Sequence, residues 1–266
     1  MKKYRVMTSV TDEERGKSLT DEKGYILTAD GKILIGYKGN ESKLSIPDGV
    51  EVIANDTFKD RYTDGYPWSV SMTNSVIAIG SSAFKDCTDL SKIILSDNIE
   101  YIGPKAFDGC TGLTYAQTND RTCPVRTFLV PHTVRNIEEG AFQRCTQITS
   151  FVLPDEISFI KDYVFQGCKA LTEFTMPSTA IKIGHSAFKY SGIERLAVPS
   201  SVIDISNEAF AYCESLEELR LPNSLLNVGN DILVGCTLLE RIIISKGTYP
   251  RMCELLPDFK HLFVEE

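Results

Sequence analysis

Apolar and polar positions along this chain of 266 residues repeat as blocks rather than as simple helical or strand periods. A Phe, once replaced by Leu, stands at Phe58, Phe84, Phe107, Phe142, Phe165, Phe188, Phe210 and Leu233, with spacings of 26, 23, 35, 23, 23, 22 and 23 residues. Five residues before each sits Ile53, Ile79, Ile102, Ile137, Ile160, Ile183, Ile205 or Val228, and eight before it the residue is always apolar. Eleven before it stands Pro47, Pro131, Pro154, Pro177, Pro199 or Pro222, with Thr73 and Ser96 as exceptions. Three after it comes a Cys in six of the eight blocks, Arg61 and Ser191 breaking the column, and six after it Leu90, Leu113, Ile148, Leu171, Leu216 or Leu239. Self-similarity at a period of 20 to 50 residues marks a solenoid whose repeats contact mainly their neighbours.

Each block predicts one coil. Segments such as Lys92-Ile93-Ile94-Leu95 and Glu218-Leu219-Arg220-Leu221 alternate as half-buried strands do. The Pro that follows most of these segments cannot donate to a ladder and turns the chain. Gly permits tight turning in the Ile-Gly pairs, and Ala lets coils approach around a stack of Phe rings. Eight coils at about 4.8 Å each make a body roughly 35–40 Å long before its caps. The strand-like runs Tyr25–Thr28 and Lys32–Ile35 flank Ala29-Asp30-Gly31, a hairpin signal. That hairpin is expected to cap the open N-terminal edge. Residues 1–22 read as a polar, flexible lead-in, 23–43 as the hairpin cap, 44–246 as eight repeats and 247–266 as a C-terminal cap. In that last cap, Tyr249 to Leu256 is expected to be helical and stopped by Pro257.

Segments such as IGSSAFKDCTDLSKIILSDNIEYIGPKAFDGCTGL and LPDEISFIKDYVFQGCKALTEFTMP resemble the BspA-like leucine-rich repeats, the Treponema pallidum type, across residues 44–246. The resemblance implies a curved leucine-rich-repeat arc, mostly β and irregular, with a parallel sheet on its concave side. It also implies a bacterial or protozoan origin and, by association, adhesion to host proteins at a cell surface. Function lives in sites rather than folds, so adhesion is an expectation only.

A net charge of −8 opposes a broad nucleic-acid or anionic-membrane footprint. No apolar run is long enough to span a bilayer. Met1-Lys2-Lys3-Tyr4-Arg5 has the charge of a signal n-region, but no apolar stretch follows it. The chain thus reads as cytoplasmic taken alone, and as surface-bound or secreted by resemblance. The six column cysteines are expected to be buried, reduced thiols bonded to turn carbonyls, with disulfides between coils as the alternative. Cys123 and Cys253 lie outside the column. No Cys-x-x-Cys or metal-ligand spacing with His132, His185 or His261 occurs, so neither metal nor cofactor is expected. Gly184-His185-Ser186-Ala187 is a partial nucleophile elbow, but it is also the repeat's own Ile-Gly-x-x-Ala-Phe segment.

Functional information should lie where outward positions differ between coils. Three outward columns on the concave face run from Trp68, Ser69 and Ser71 to Glu240, Arg241 and Ile243. The C-terminal half carries mixed charge, including Arg195, Glu218 and Arg241. The N-terminal half carries Ile94, Leu129 and Val152 as an apolar stripe with Trp68 near its end. Insertions at 59–69, with Tyr62 and Tyr66, and at 114–125 flank it. The partner-binding candidates are therefore Trp68, Ile94, Arg126, Leu129, Val152, Tyr62 and Tyr66, with Trp68 as anchor. The expected function is non-enzymatic recognition of a protein partner, adhesin-like. A self-assembling structural repeat, with weak homo-oligomers, and a hydrolase site in the inserted loops are the alternatives.

Overall fold

Each block closes one coil with two short strands. The computed structural model describes residues 2–61, 68–119 and 127–266. A front, concave strand follows the Leu column, and a two-residue back strand lies at the Ile column. Alternation does what it predicts: Glu173–Thr175 and Arg195–Ala197 are each exposed, buried, exposed along the strand. Front strands pair in parallel, Arg195 opposite Glu218 and Glu218 opposite Arg241. Back strands do the same, Lys182 opposite Asp204 and Asp204 opposite Asn227. The molecule is a parallel-strand solenoid, each side built from a seven-strand and a four-strand segment.

The Ala-Phe turns form a third bonded side. Phe84 N–H donates to Ala106 O at 2.8 Å, Phe107 N–H to Ala141 O at 2.8 Å and Phe165 N–H to Ala187 O at 2.8 Å. Flanking N–H groups two residues away also cross to the next coil, as Ser82 to Pro104 and Asp86 to Asp108 do. The intervening ones turn back within the coil, Lys85 N–H to Ser82 O and Cys87 N–H to Phe84 O. A left-handed residue on either side of the Phe accompanies this alternation. Two before it lie Asp56, Ser82, Lys105, Gly140, Tyr163, Ser186, Glu208 and Asp231, all at positive φ. Two after it lie Asp60, Asp86, Gly109, Arg144, Gly167, Tyr190, Tyr212 and Gly235, also at positive φ. Each such non-glycine residue costs about 1 kcal/mol of local strain, sustained because the coil-to-coil bonds over-determine the turn.

Two files of rings fill the interior. The repeat Phe rings stack nearly parallel, Phe84 on Phe107 at 5.2 Å and Phe107 on Phe142 at 5.3 Å, each inclined by 4°. A second file, Phe128, Phe151 and Phe174, comes from inward front-strand positions and meets the first edge-on. Phe165 lies 4.7 Å from Phe151 and 5.1 Å from Phe174. Close coil approach dictates the glycine of the Ile-Gly pair: a Cβ on Gly103 would lie 2.8 Å from the Gly80 carbonyl carbon.

Cysteines of the repeat column are free, as in-register side chains pointing one way should be. Each thiol donates to the carbonyl of the preceding coil's Phe: Cys87 to Phe58 at 2.9 Å, Cys110 to Phe84 at 3.0 Å, Cys168 to Phe142 at 3.2 Å. Burial pushes the Cys168 thiol up to about 12. Burial likewise raises Cys110 and Cys145 well above the ordinary thiol value. Cys123 lies outside the described residues.

The caps depart in part from expectation. The hairpin forms, with Tyr25 opposite Tyr37, but it extends the back sheet through Ile33 and Leu34, which pair with Val52 and Ile53. The front sheet begins independently at Lys43–Ser45. The expected flexible lead-in carries two short helices, α1 (Lys2–Met7) and α2 (Asp12–Gly16), the latter opened by a Thr11–Glu14 capping box. Tyr4 of α1 stacks on Tyr101 at 5.2 Å and donates to Glu100, so α1 sits on the back sheet's outer face. At the other end α3 (Tyr249–Leu255) stops before Pro257, and Phe263–Glu265 adds a last parallel front strand.

The long insertion does not behave as a loop alone. Tyr115–Thr118 pairs with front-strand residues Lys92–Leu95 on one side and, through Ala116, with Phe128 on the other. Behind it the back strands Tyr101–Ile102 and Asn136–Ile137 pair directly. The insertion therefore adds one front rung without a back rung and separates Lys92–Leu95 from Thr127–Leu129 on the front face.

Two outcomes test this packing. Phe165→Ala should cost about 3–5 kcal/mol of stability in a denaturant titration, because four surrounding rings cannot collapse into the space; a loss under about 1 kcal/mol would contradict the core assignment. Native alkylation at mildly alkaline pH should modify Cys253, half-buried outside the column, and spare Cys168 until the chain unfolds. Rapid modification of Cys168 would contradict the thiol ladder.

Candidate functional site

Front strands place three outward positions per coil, and the structure redistributes the predicted ones. Trp68 is only 1% exposed, a correction to its outward assignment. The register shifts between Trp68 and Ser69, setting Trp68 opposite Leu90, in the inward Leu column. Its ring packs 6.1 Å from Phe58 and lies 5.0 Å under the Arg61 guanidinium. Arg61, the break in the Cys column, also covers Tyr37 and donates to the Gly39 and Glu41 carbonyls. The two column exceptions are thus one device: cation and indole together close the first coil.

Leu129 is the second correction. It is 5% exposed, and all three residues of Thr127–Leu129 are buried, so this strand beside the extra rung loses the usual alternation. Val152 is 40% exposed and Ile94 half-buried. Gln117, half-buried opposite Ile94 on the added rung, and the buried Leu129 interrupt the expected apolar stripe. Tyr62, Tyr66 and Arg126 lie outside the described residues.

Toward the C-terminus the front face is charged. Arg195 pairs with Glu217 at 3.3 Å, Arg241 with Glu218 at 2.6 Å and Arg220 with Glu266 at 2.6 Å. All are solvated pairs, worth about 1 kcal/mol each at most. Between Val152 and these pairs, Glu173, Thr175 and Ala197 present exposed side chains on consecutive rungs.

Sequence reading missed the outer face of the back sheet. In the N-terminal half Val52, Ala78 and Tyr101 form a small cluster sealed by Tyr4 and Met7 of α1. In the C-terminal half Phe159, Ile181, Ile203 and Leu226 remain 48%, 39%, 38% and 61% exposed. A groove of about 520 Å³ runs beside Phe159, bounded by Glu138, Lys161, Asp162 and His185. The available signal was the spacing of Ile181, Ile203 and Leu226, two residues before the buried Ile column in consecutive blocks.

The partial elbow is brought together with an acid. Ser186 Oγ donates to Glu208 Oε2 at 3.0 Å and lies 3.4 Å from His185 Nε2. Lys189 Nζ donates to the other Glu208 oxygen at 3.0 Å, and these two hydrogen bonds hold the Glu208 carboxyl below its ordinary value. A Ser–His–acid triad places the imidazole between hydroxyl and acid. Here the carboxylate accepts the hydroxyl's hydrogen bond directly, with no imidazole between them, and Ser186 is 1% exposed. The cluster braces neighbouring coils and offers no accessible nucleophile. Among the described residues no group of three or more His, Cys, Asp or Glu could hold a metal ion, and no helix is long and apolar enough to cross a membrane.

Comparisons with known proteins agree with the repeat. The model of the BspA type leucine rich repeat region matches residues 37–129 and 135–250 in six copies. No curated protein sequence matches the chain. Among solved structures it is similar to the leucine rich repeat protein of T. pallidum, at 26% identity over 74% of this chain and 90% of that one, TM-score 0.49. It is also similar to a leucine rich cell surface protein of Faecalibacterium prausnitzii, at 18% identity over 90% and 97%, TM-score 0.35. The pneumococcal vaccine antigen PcpA matches at 14% identity over 87% and 88%, TM-score 0.39. With the family model covering most of the coils just described, the chain belongs to the BspA-type leucine-rich repeat family.

Proposed function

We propose that this chain is a non-enzymatic protein-recognition module, adhesin-like, of a bacterial surface or secreted protein, and that it binds a protein partner through its front sheet. One observation carries the reading: inward positions repeat from coil to coil, whereas the exposed outward ones differ. Val152, Thr175 and Ala197 stand on three consecutive rungs, with Glu173 and Arg195 beside them. Val152 and Thr175 are paired in one parallel sheet and Ala197 stands on the next rung, where the second front segment begins, so the coil stack fixes all three and binding needs little ordering of the surface. Small and apolar side chains desolvate at low polar cost, and the charged pairs around them suit a rim. The surface role follows the family's association with bacterial surfaces. The anchor moves from Trp68, which is sealed in the core, to Val152.

The test is a titration of purified extracellular-matrix proteins against wild type, Val152→Asp and Trp68→Ala, with melting temperature measured for each. Val152→Asp should weaken binding by about tenfold or more at unchanged melting temperature. Trp68→Ala should lower the melting temperature, because it opens a cavity under Arg61. Binding insensitive to Val152→Asp, or absent for wild type, would remove the reading.

A further inference from the structure

The outer face of the back sheet meets water in this chain, yet its position two residues before the buried Ile column is apolar in three consecutive coils. Ile181, Ile203 and Leu226 occupy it, with Phe159 exposed one coil earlier. Contiguous exposed apolar side chains of this size mark an interaction surface. The N-terminal, seven-strand segment of this side is sealed by α1, whereas the C-terminal, four-strand segment has no such cover among the described residues. We propose that a second copy of this chain covers it, related by a two-fold axis that runs along the strand direction between Lys182–Ile183 and Asp204–Ile205.

Self-complementarity points to this occupant. An axis along the strands reverses the order of coils but keeps strand direction, so each outward column faces itself on the other copy. Ile181 then meets Ile203 of the second copy and Lys182 meets its Asp204, and each contact occurs twice. Lys182 and Asp204 already pair within one chain at 3.2 Å. Two copies would therefore form a ring of four charges of alternating sign beside two Ile–Ile contacts. Moving the axis one coil toward the N-terminus sets Ile181 against Ser158 and Lys182 against Phe159. Moving it one coil the other way sets Asp204 against Asn227 and leaves Lys182 without an acid. Only this register sets Ile181 against Ile203 and Lys182 against Asp204 together, with Leu226 and Phe159 at its margins facing Ser158 and Asn227 of the second copy. The patch from Phe159 to Leu226 is about 15 Å long, short against the roughly 800 Å² per partner of a standard interface, so the dimer should be weak.

Sedimentation velocity over a dilution series tests it. Wild type should show a monomer–dimer equilibrium, and Ile203→Glu should abolish it at unchanged melting temperature. Lys182→Asp and Asp204→Lys should each weaken the dimer by about tenfold, while the double exchange restores it, because the exchanged charges remain complementary across the axis. A wild type monomeric at every concentration overturns the proposal and leaves the stripe to another partner. A dimer indifferent to Ile203→Glu, or one the double exchange fails to restore, overturns it as well.

Discussion

Everything in this molecule is built on one distance, the separation of neighbouring coils. Parallel strands lie about 4.8 Å apart, and the rings of Phe58 and Phe84 or Phe84 and Phe107 stack at 5.0 and 5.2 Å. Strand pairing and ring stacking therefore agree on nearly the same repeat. That agreement leaves no room for a Cβ at Gly103 and sets each column thiol against the carbonyl of the coil before. It also explains the left-handed residues flanking each Phe. Only a turn with alternate N–H groups along the axis keeps the third side of the coil bonded at that spacing.

Much of this was legible in the residues. The Phe, Ile, Leu and Cys columns locate inward positions because inward positions share one environment in every coil. The second ring file was equally visible, since Phe128, Phe151 and Phe174 recur at intervals of 23 residues, but it occupies only three coils. The left-handed columns were legible only in part: Gly or Asp stands at Asp56, Gly109, Gly167 and Gly235 among others, but Lys105, Tyr163, Arg144 and Tyr212 carry no composition that marks positive φ. There the backbone is dictated by the neighbouring coils rather than by local preference.

Outward positions were harder because alternation assigns a face only where the register is intact. At Trp68 a single-residue shift moves the side chain into the core, and the cation that seals it sits seven residues earlier in the Cys column. At Leu129 an added rung changes the strand's neighbours. The back face escaped attention for a different reason: two-residue strands are too short to display a period. Yet α1 shows that this face packs against other elements, since Tyr4 and Met7 already seal its N-terminal half.

The most direct measurement is native-state hydrogen exchange at the Phe amides of the turns. If bonds from coil to coil hold the array together, the N–H groups of Phe84, Phe107 and Phe165 should open only with global unfolding, alongside inward front-strand amides such as Leu219. Turns that merely decorate two sheets would open locally. Exchange of these Phe amides well ahead of the front strands, coil by coil, would contradict the account.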